Sequence, residues 1–173
     1  AHADVAVRAN ARRAFAQRGT PDERARFLAR LARRLPGDEG VDVVQELIDV
    51  RLSVDDRLGA EAAAKDLLQR RPGDGRATRV IADLLDDEPH RTDELIEVLR
   101  VGAQQALSWF GKTGEARTLL ERLATVQQRA GRSEDAADAW VQVARLVPDE
   151  RNLERAMQAL DDVKRYKEAL ALL

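Results

Sequence analysis

A single turn recurs along this chain in three near-copies: Arg34-Leu35-Pro36-Gly37-Asp38, Arg71-Pro72-Gly73-Asp74 and Leu146-Val147-Pro148-Asp149-Glu150. The prolines lie 36 and then 76 residues apart, and 76 is twice 38. Each follows a stretch of helical periodicity. Proline cannot continue a helix, and the Gly or Asp behind it suits a turn or a new cap. A helix stop that returns once per 36 to 38 residues marks stacked helical hairpins. Few other architectures tolerate that period.

Apolar residues recur at helical spacing throughout, and no period-2 strand pattern interrupts them. The spacing predicts ten helices in five pairs. They cover 4–18 and 21–35, 40–53 and 56–71, 76–86 and 92–110, 113–130 and 134–147, and 150–162 and 165–173. Thr20-Pro21-Asp22-Glu23 carries a cap, a first-position proline and a capping-box glutamate. Ser53 or Asp55 is expected to cap the helix after it, and Thr92, Thr113 and Ser133 the helices at their positions. Gly131 is the expected stop of its helix. Short connections imply antiparallel neighbours. No linker rich in Pro, Gly or Ser divides the chain, so a single domain over residues 1–173 is expected. The first residue is Ala, and the last residues are an apolar helical run, Glu168 to Leu173. An excerpt of a longer protein is therefore expected.

Aligned on their prolines, the units share a face. Five residues before each proline stand Leu31, Leu67 and Val143. Eight before stand Leu28, Ala64 and Trp140, and twelve before stand Arg24, Ala60 and Ala136. In the preceding helix, 25 before, are Ala11, Leu47 and Leu123. Offsets of three and four place the apolar members where a neighbouring helix can bury them.

The unit that ends at Pro148 resembles a tetratricopeptide repeat: Leu120-x2-Leu123-Ala124, Ala136-x3-Trp140, then Pro148. Gly131-Arg-Ser-Glu-Asp-Ala136 is similar to the family's turn between helices. Other units depart from the pattern. Gln127 and Arg51 stand where the family favours tyrosine, while Phe15 keeps an aromatic ring there. Ile48 and Arg12 replace a small residue, Arg24 replaces a packing alanine, and the third unit lacks the terminal proline.

The resemblance implies an all-α, right-handed superhelical solenoid of about five antiparallel helix pairs, with the first helix of each pair lining a concave groove. By position, it nominates Arg13 and Gln17 in the first unit, Asp42, Gln45 and Asp49 in the second, and Glu121, Thr125, Gln128 and Arg129 in the fourth. Asp42 and Asp49 point to a basic or polar ligand. The Lys/Asn clamp with which some relatives hold a C-terminal carboxylate is not visible, because these positions carry Asp, Gln and Arg. The function this implies is non-enzymatic recognition of a protein or peptide partner.

Other chemistries find little support. Gly111-Lys112-Thr113 ends like a phosphate loop, but Ala106 stands near where that motif needs its leading glycine, and no strand precedes it. It reads as an inter-helix turn. The two histidines, His2 and His90, converge with no ligand set, and cysteine is absent, so no metal and no cofactor are expected. Ser53, Ser108 and Ser133 show no spacing to His90 that suggests a nucleophile. Asp55-Asp56 and Asp161-Asp162 sit at helix edges, not in a shielded cleft. Trp140 falls on a packing position, whereas one ring of Trp109-Phe110 is expected to face outward.

Charge is unevenly spread. Residues 1–36 hold nine arginines against three acids, and residues 37–99 hold 17 acids against eight basic residues. The basic end could meet nucleic acid. An electrostatic seam fits the acidic neighbour better, in which the basic end meets the acidic middle of another copy. The reading adopted is therefore a protein partner, possible self-association and no nucleic acid. Two alternatives stay open: a self-assembling spacer of a large complex, and a regulatory segment of an enzyme whose catalytic domain lies elsewhere. Of 29 basic residues only four are lysine, which points to a GC-rich bacterial genome. Cytoplasm and periplasm are both open. No apolar run approaches the ~18 residues of a membrane span.

Overall fold

The computed structural model describes residues 14, 19–35, 37–108 and 111–172. Arg13 and Gln17 lie outside these, as do Phe15, Pro36, Trp109 and Phe110. Among the described residues there is no strand. The α-helices are α1 (Pro21–Arg34), α2 (Val41–Ser53), α3 (Arg57–Arg70), α4 (Gly75–Asp86), α5 (Thr92–Ser108), α6 (Thr113–Arg129), α7 (Ser133–Leu146), α8 (Glu150–Asp162) and α9 (Tyr166–Leu170). Short 3-10 turns, Gly37–Gly40 and Pro89–Arg91, precede α2 and α5. The expected boundaries therefore hold to within about two residues for α1 to α8. The last helix is shorter than the expected 165–173.

The chain divides into two compact units, Ala1–Ile81 and Ala82–Leu173, with the division inside α4. In the first unit α1 packs on α2 and α2 on α3. In the second, α5 packs on α6, α6 on α7, α7 on α8 and α8 on α9. Sequential partners joined by connections this short must run antiparallel.

The proline-aligned positions are the core. Leu28, Leu31, Leu47, Ala60, Ala64 and Leu67 are buried in the first unit, and Leu123, Ala136, Trp140 and Val143 in the second. Each fully buried leucine is worth roughly 1.5–3 kcal/mol over its exposed state. Trp140, 6% exposed, is part of this packing, and the Arg155 guanidinium carbon lies 5.0 Å from its ring centroid. Arg24 stands where the other units bury alanine. Its stem stays half-exposed, and its Nη2 reaches Glu46 Oε1 of α2 at 2.7 Å.

The turns do double duty. Gly73 takes a positive φ (79°), which lets the chain reverse behind Pro72. Asp74 and Asp149 then cap the helices that follow. Asp74 Oδ1 accepts from Ala77 N at 3.0 Å, and Asp149 Oδ1 accepts from Asn152 N at 2.8 Å. The first copy differs. A 3-10 turn intervenes, and α2 begins behind Gly40 with no side-chain cap.

Thr20 and Glu23 form the expected capping box on α1. Other expected caps are corrected. Asp56, not Ser53 or Asp55, caps α3, its Oδ1 accepting from Gly59 N at 2.9 Å. Ser53 belongs to the last turn of α2 and donates to Val50 O, while Asp55 has swung to φ 56°. Thr113 and Ser133 are first helical residues behind Lys112 and Arg132, and neither of those preceding residues makes a side-chain cap. Thr92 also lies inside its helix, and its hydroxyl donates back to Pro89 O at 2.8 Å. Gly131 ends α6 as expected, with φ 74°.

Candidate functional site

The nominated positions fall on α2 and α6, and burial explains which face they take. On α2, Val41, Val43, Val44, Leu47, Ile48 and Val50 are buried. That leaves Asp42 and Asp49 exposed and Gln45 half-buried, at spacings i, i+3 and i+7. On α6, Leu119, Leu120, Leu123, Ala124, Val126 and Gln127 are buried. Glu121 is half-buried, and Thr125, Gln128 and Arg129 are exposed. Each helix thus carries one polar stripe opposite its packed face. The two stripes belong to different units.

Charge pairing separates these residues further. Asp49 is an ion-pair partner of Arg76 of α4, so its charge is already answered within the chain. The Asp42 carboxylate accepts no hydrogen bond and makes no ion pair among the described residues. In the second unit, Arg129 Nη2 holds Asp86 Oδ1 at 2.7 Å, and Arg122 Nη2 approaches Asp86 Oδ2 at 3.3 Å while also pairing with Asp83. Burial alone pushes the Asp86 carboxyl up. The hydrogen bond and charge of Arg129, joined by Arg122, outweigh that and hold it below the ordinary aspartate value. Glu121 is held by Arg117 at 2.8 Å. The Thr125 hydroxyl donates to Glu121 O at 2.8 Å, one turn back. Gln45 and Gln128 keep their amides unengaged among the described residues.

Asp83, Asp86, Arg76 and Arg122 belong to these faces and were not nominated from the sequence. Their helical spacing was readable, since Asp83 and Asp86 are three apart and Arg122 and Arg129 seven apart. Their pairing was not, because it joins residues 27 to 43 positions distant.

A second row of pairs joins the other helices. Arg132, just before α7, binds Asp93 in the first turn of α5. Arg165, just before α9, binds Asp138 of α7 at 2.6 Å and Glu168 at 2.6 Å. In both places an arginine from one hairpin answers a carboxylate on the second helix of the hairpin before it. The Glu168 and Asp138 contacts push the Arg165 guanidinium above its ordinary value.

His90 is exposed, with Nε2 3.8 Å from Glu88. Among the described residues no group of three or more His, Cys, Asp or Glu is placed to hold a metal ion. None of their helices is long and apolar enough to cross a membrane. Gly111 turns with φ 89° between α5 and α6, as the turn reading of Gly111-Lys112-Thr113 requires.

Solved structures with a similar chain trace include several of MamA. A MamA crystal structure is 13% identical, covers 91% of this chain and 87% of its own, and gives a TM-score of 0.56. The RS-1 ArsTM double mutant of MamA is 17% identical, with 94% and 86% covered and a TM-score of 0.55. MamA from residue 41 to its end, from Desulfovibrio magneticus RS-1, is 16% identical, with 94% and 87% covered and a TM-score of 0.54. With the proline-aligned residues buried as the repeat requires, the architecture is decided. The fold is a tetratricopeptide-like helical repeat. At these identities the likeness speaks to fold alone. No protein-family model and no curated protein matches the chain. Within the tetratricopeptide-like frame, α2, α4, α6 and α8 take the place of first helices, and α1, α3, α5, α7 and α9 that of second helices.

Proposed function

We propose that residues 1–173 form a protein-interaction module, non-catalytic in itself, that binds a protein or peptide partner on the polar stripes of its first helices. Asp42, Gln45 and Asp49 would contribute on α2, and Glu121, Thr125, Gln128 and Arg129 on α6, with Arg13 and Gln17 as the matching first-unit positions. The observation that carries this reading is the two-sided build of α2 and α6. Each has a packed apolar face and, opposite it, a polar stripe with side chains left unengaged at Asp42, Gln45 and Gln128. Solenoids present partner-binding surfaces in this way.

Internal pairing favours a protein partner over nucleic acid. A nucleic-acid surface needs arginines free to replace counterions. In the basic end Arg24 holds Glu46, and beyond it Arg76, Arg122, Arg129, Arg132 and Arg165 each hold a carboxylate of this chain. The same pairs weigh against the self-assembling seam. Asp49, Asp83, Asp86 and Asp93 of the acidic middle already have arginines of their own.

Site-specific photocrosslinking in the native cell tests the proposal. A photoreactive residue at Asp42 or Gln128 should yield a discrete protein adduct, whereas one at exposed second-helix positions, Gln69 or Gln142, should not. Adducts confined to Gln69 and Gln142 would refute the first-helix assignment.

A further inference from the structure

An open, shallow groove of about 620 Å³ lies between α8 and α9. Glu154, Met157, Gln158 and Asp161 of α8 form one wall, and Ala169 of α9 faces them. Glu154, Gln158 and Asp161 are spaced i, i+4 and i+7, so they share one side of their helix. On α9, Tyr166 is 55% exposed and Leu170 is 70% exposed.

The acids here differ from those elsewhere in the unit. Asp83, Asp86, Asp93 and Asp138 each hold an arginine. The Glu154 and Asp161 carboxylates hold none and accept no hydrogen bond among the described residues. Arg155 also borders the groove, but its guanidinium is committed to the face of Trp140. Gln158 is likewise committed, donating to Asp162 Oδ1 at 2.8 Å. What remains open to a visitor is an apolar strip, Met157 and Ala169, with an unanswered negative charge toward each end.

We propose that this groove docks a basic amphipathic helix of a partner protein, with its apolar side on Met157 and Ala169 and its lysines or arginines on Glu154 and Asp161. An acidic helix would meet repulsion at both carboxylates. A neutral one would strip water from them without replacement. Because α8 stands in the place of a first helix, this inference rests on the first-helix reading and names the partner chemistry that the α8 stripe would take.

The test is fluorescence anisotropy of the full chain with a labelled helical peptide carrying leucines on one face and lysines on both flanks. The same peptide with glutamates in place of the lysines serves as the comparison. The lysine peptide should bind at least about tenfold more tightly, with an affinity that falls as salt rises. Glu154→Lys with Asp161→Lys should abolish that preference. Asp22→Lys with Glu39→Lys, an equal charge change on exposed positions elsewhere, should leave it intact. Circular dichroism verifies that both double variants keep their helix content. Equal affinity for the two peptides overturns the proposal, as does equal loss in both double variants. Self-association of the chain that the groove variant alone abolishes also overturns it, because the occupant is then a second copy.

Discussion

The Arg70 guanidinium, near the end of α3, donates to the Ala32 carbonyl of α1 through Nη2 at 3.1 Å. Its Nη1 donates to Leu35 O, and its Nε binds Asp66 at 3.0 Å. One side chain thus serves the Leu35 carbonyl, shares the Ala32 carbonyl with the Leu35 N–H that closes α1, and ties the end of one hairpin to the end of the next. Gly40 makes room for it. A Cβ at that position would collide with both Arg70 Nη1 and the Leu35 carbonyl oxygen.

Gly40→Ala is therefore expected to destabilise the first unit by about 1–3 kcal/mol through overcrowding. Arg70→Ala should cost a comparable ~1.5–3 kcal/mol, the range for hydrogen bonds to a charged group. Urea midpoints followed by circular dichroism measure both. A double variant less destabilised than the sum of the singles is expected, because removing Arg70 relieves one of the two collisions while the one with the Leu35 carbonyl remains. Full additivity would show that the glycine and the arginine act separately.

Trp140→Ala should cost roughly 3–5 kcal/mol, since the ring is buried among α7 and its neighbours. Asp49→Ala should shift stability by less than about 1 kcal/mol, because its pair with Arg76 is solvent-exposed. Chemical denaturation of the two variants side by side decides the matter. A mild Trp140 effect would sink the repeat alignment.

Asp86 gives the fold a pH dependence with a fixed sign. Its folded-state pKa is depressed below the ordinary 3.8. The stability it contributes is complete above that value and is lost as pH falls through the folded value. Wild type should exceed Asp86→Asn in urea midpoint at neutral pH, and the gap should close in strong acid. A gap that persists unchanged would mean that Arg129 and Arg122 do not stabilise the ionised carboxylate.

Gln127 is 6% exposed, and its Oε1 is buried without a hydrogen-bond partner among the described residues. Gln127→Met keeps the volume and removes the stranded acceptor, so a gain on the order of 1 kcal/mol is expected. Thermal and urea unfolding measure it. A loss would place a donor, such as a buried water, against Oε1.

The residues where the chain departs from the repeat pattern are where sequence reading stopped short. Gln127 and Arg51 occupy the position that favours tyrosine, and each leaves a buried polar atom unpaired among the described residues, Gln127 Oε1 and Arg51 Nε. The sequence marks them as unusual but does not say whether a neighbour would satisfy them. The caps show the same limit at short range. Ser53, Asp55 and Asp56 all have side chains suited to the role. Asp56 takes it, with Asp55 turned to a positive φ just before it and the Arg51 hydrogen bond holding the Asp56 carboxyl low.

By itself, the sequence determined the helix pairs, the turns between them and the face each helix buries. Those follow from spacings of three and four residues and from what proline and glycine permit, all interactions within a turn or two of chain. Only the tertiary structure decided that Asp49 is spoken for by Arg76, 27 residues away, that Asp86 is spoken for by Arg129, 43 away, and that Glu154 and Asp161 are left over. Charged side chains are long and their attractions carry no sequence period. Which carboxylate meets which arginine is fixed only when the helices are packed side by side.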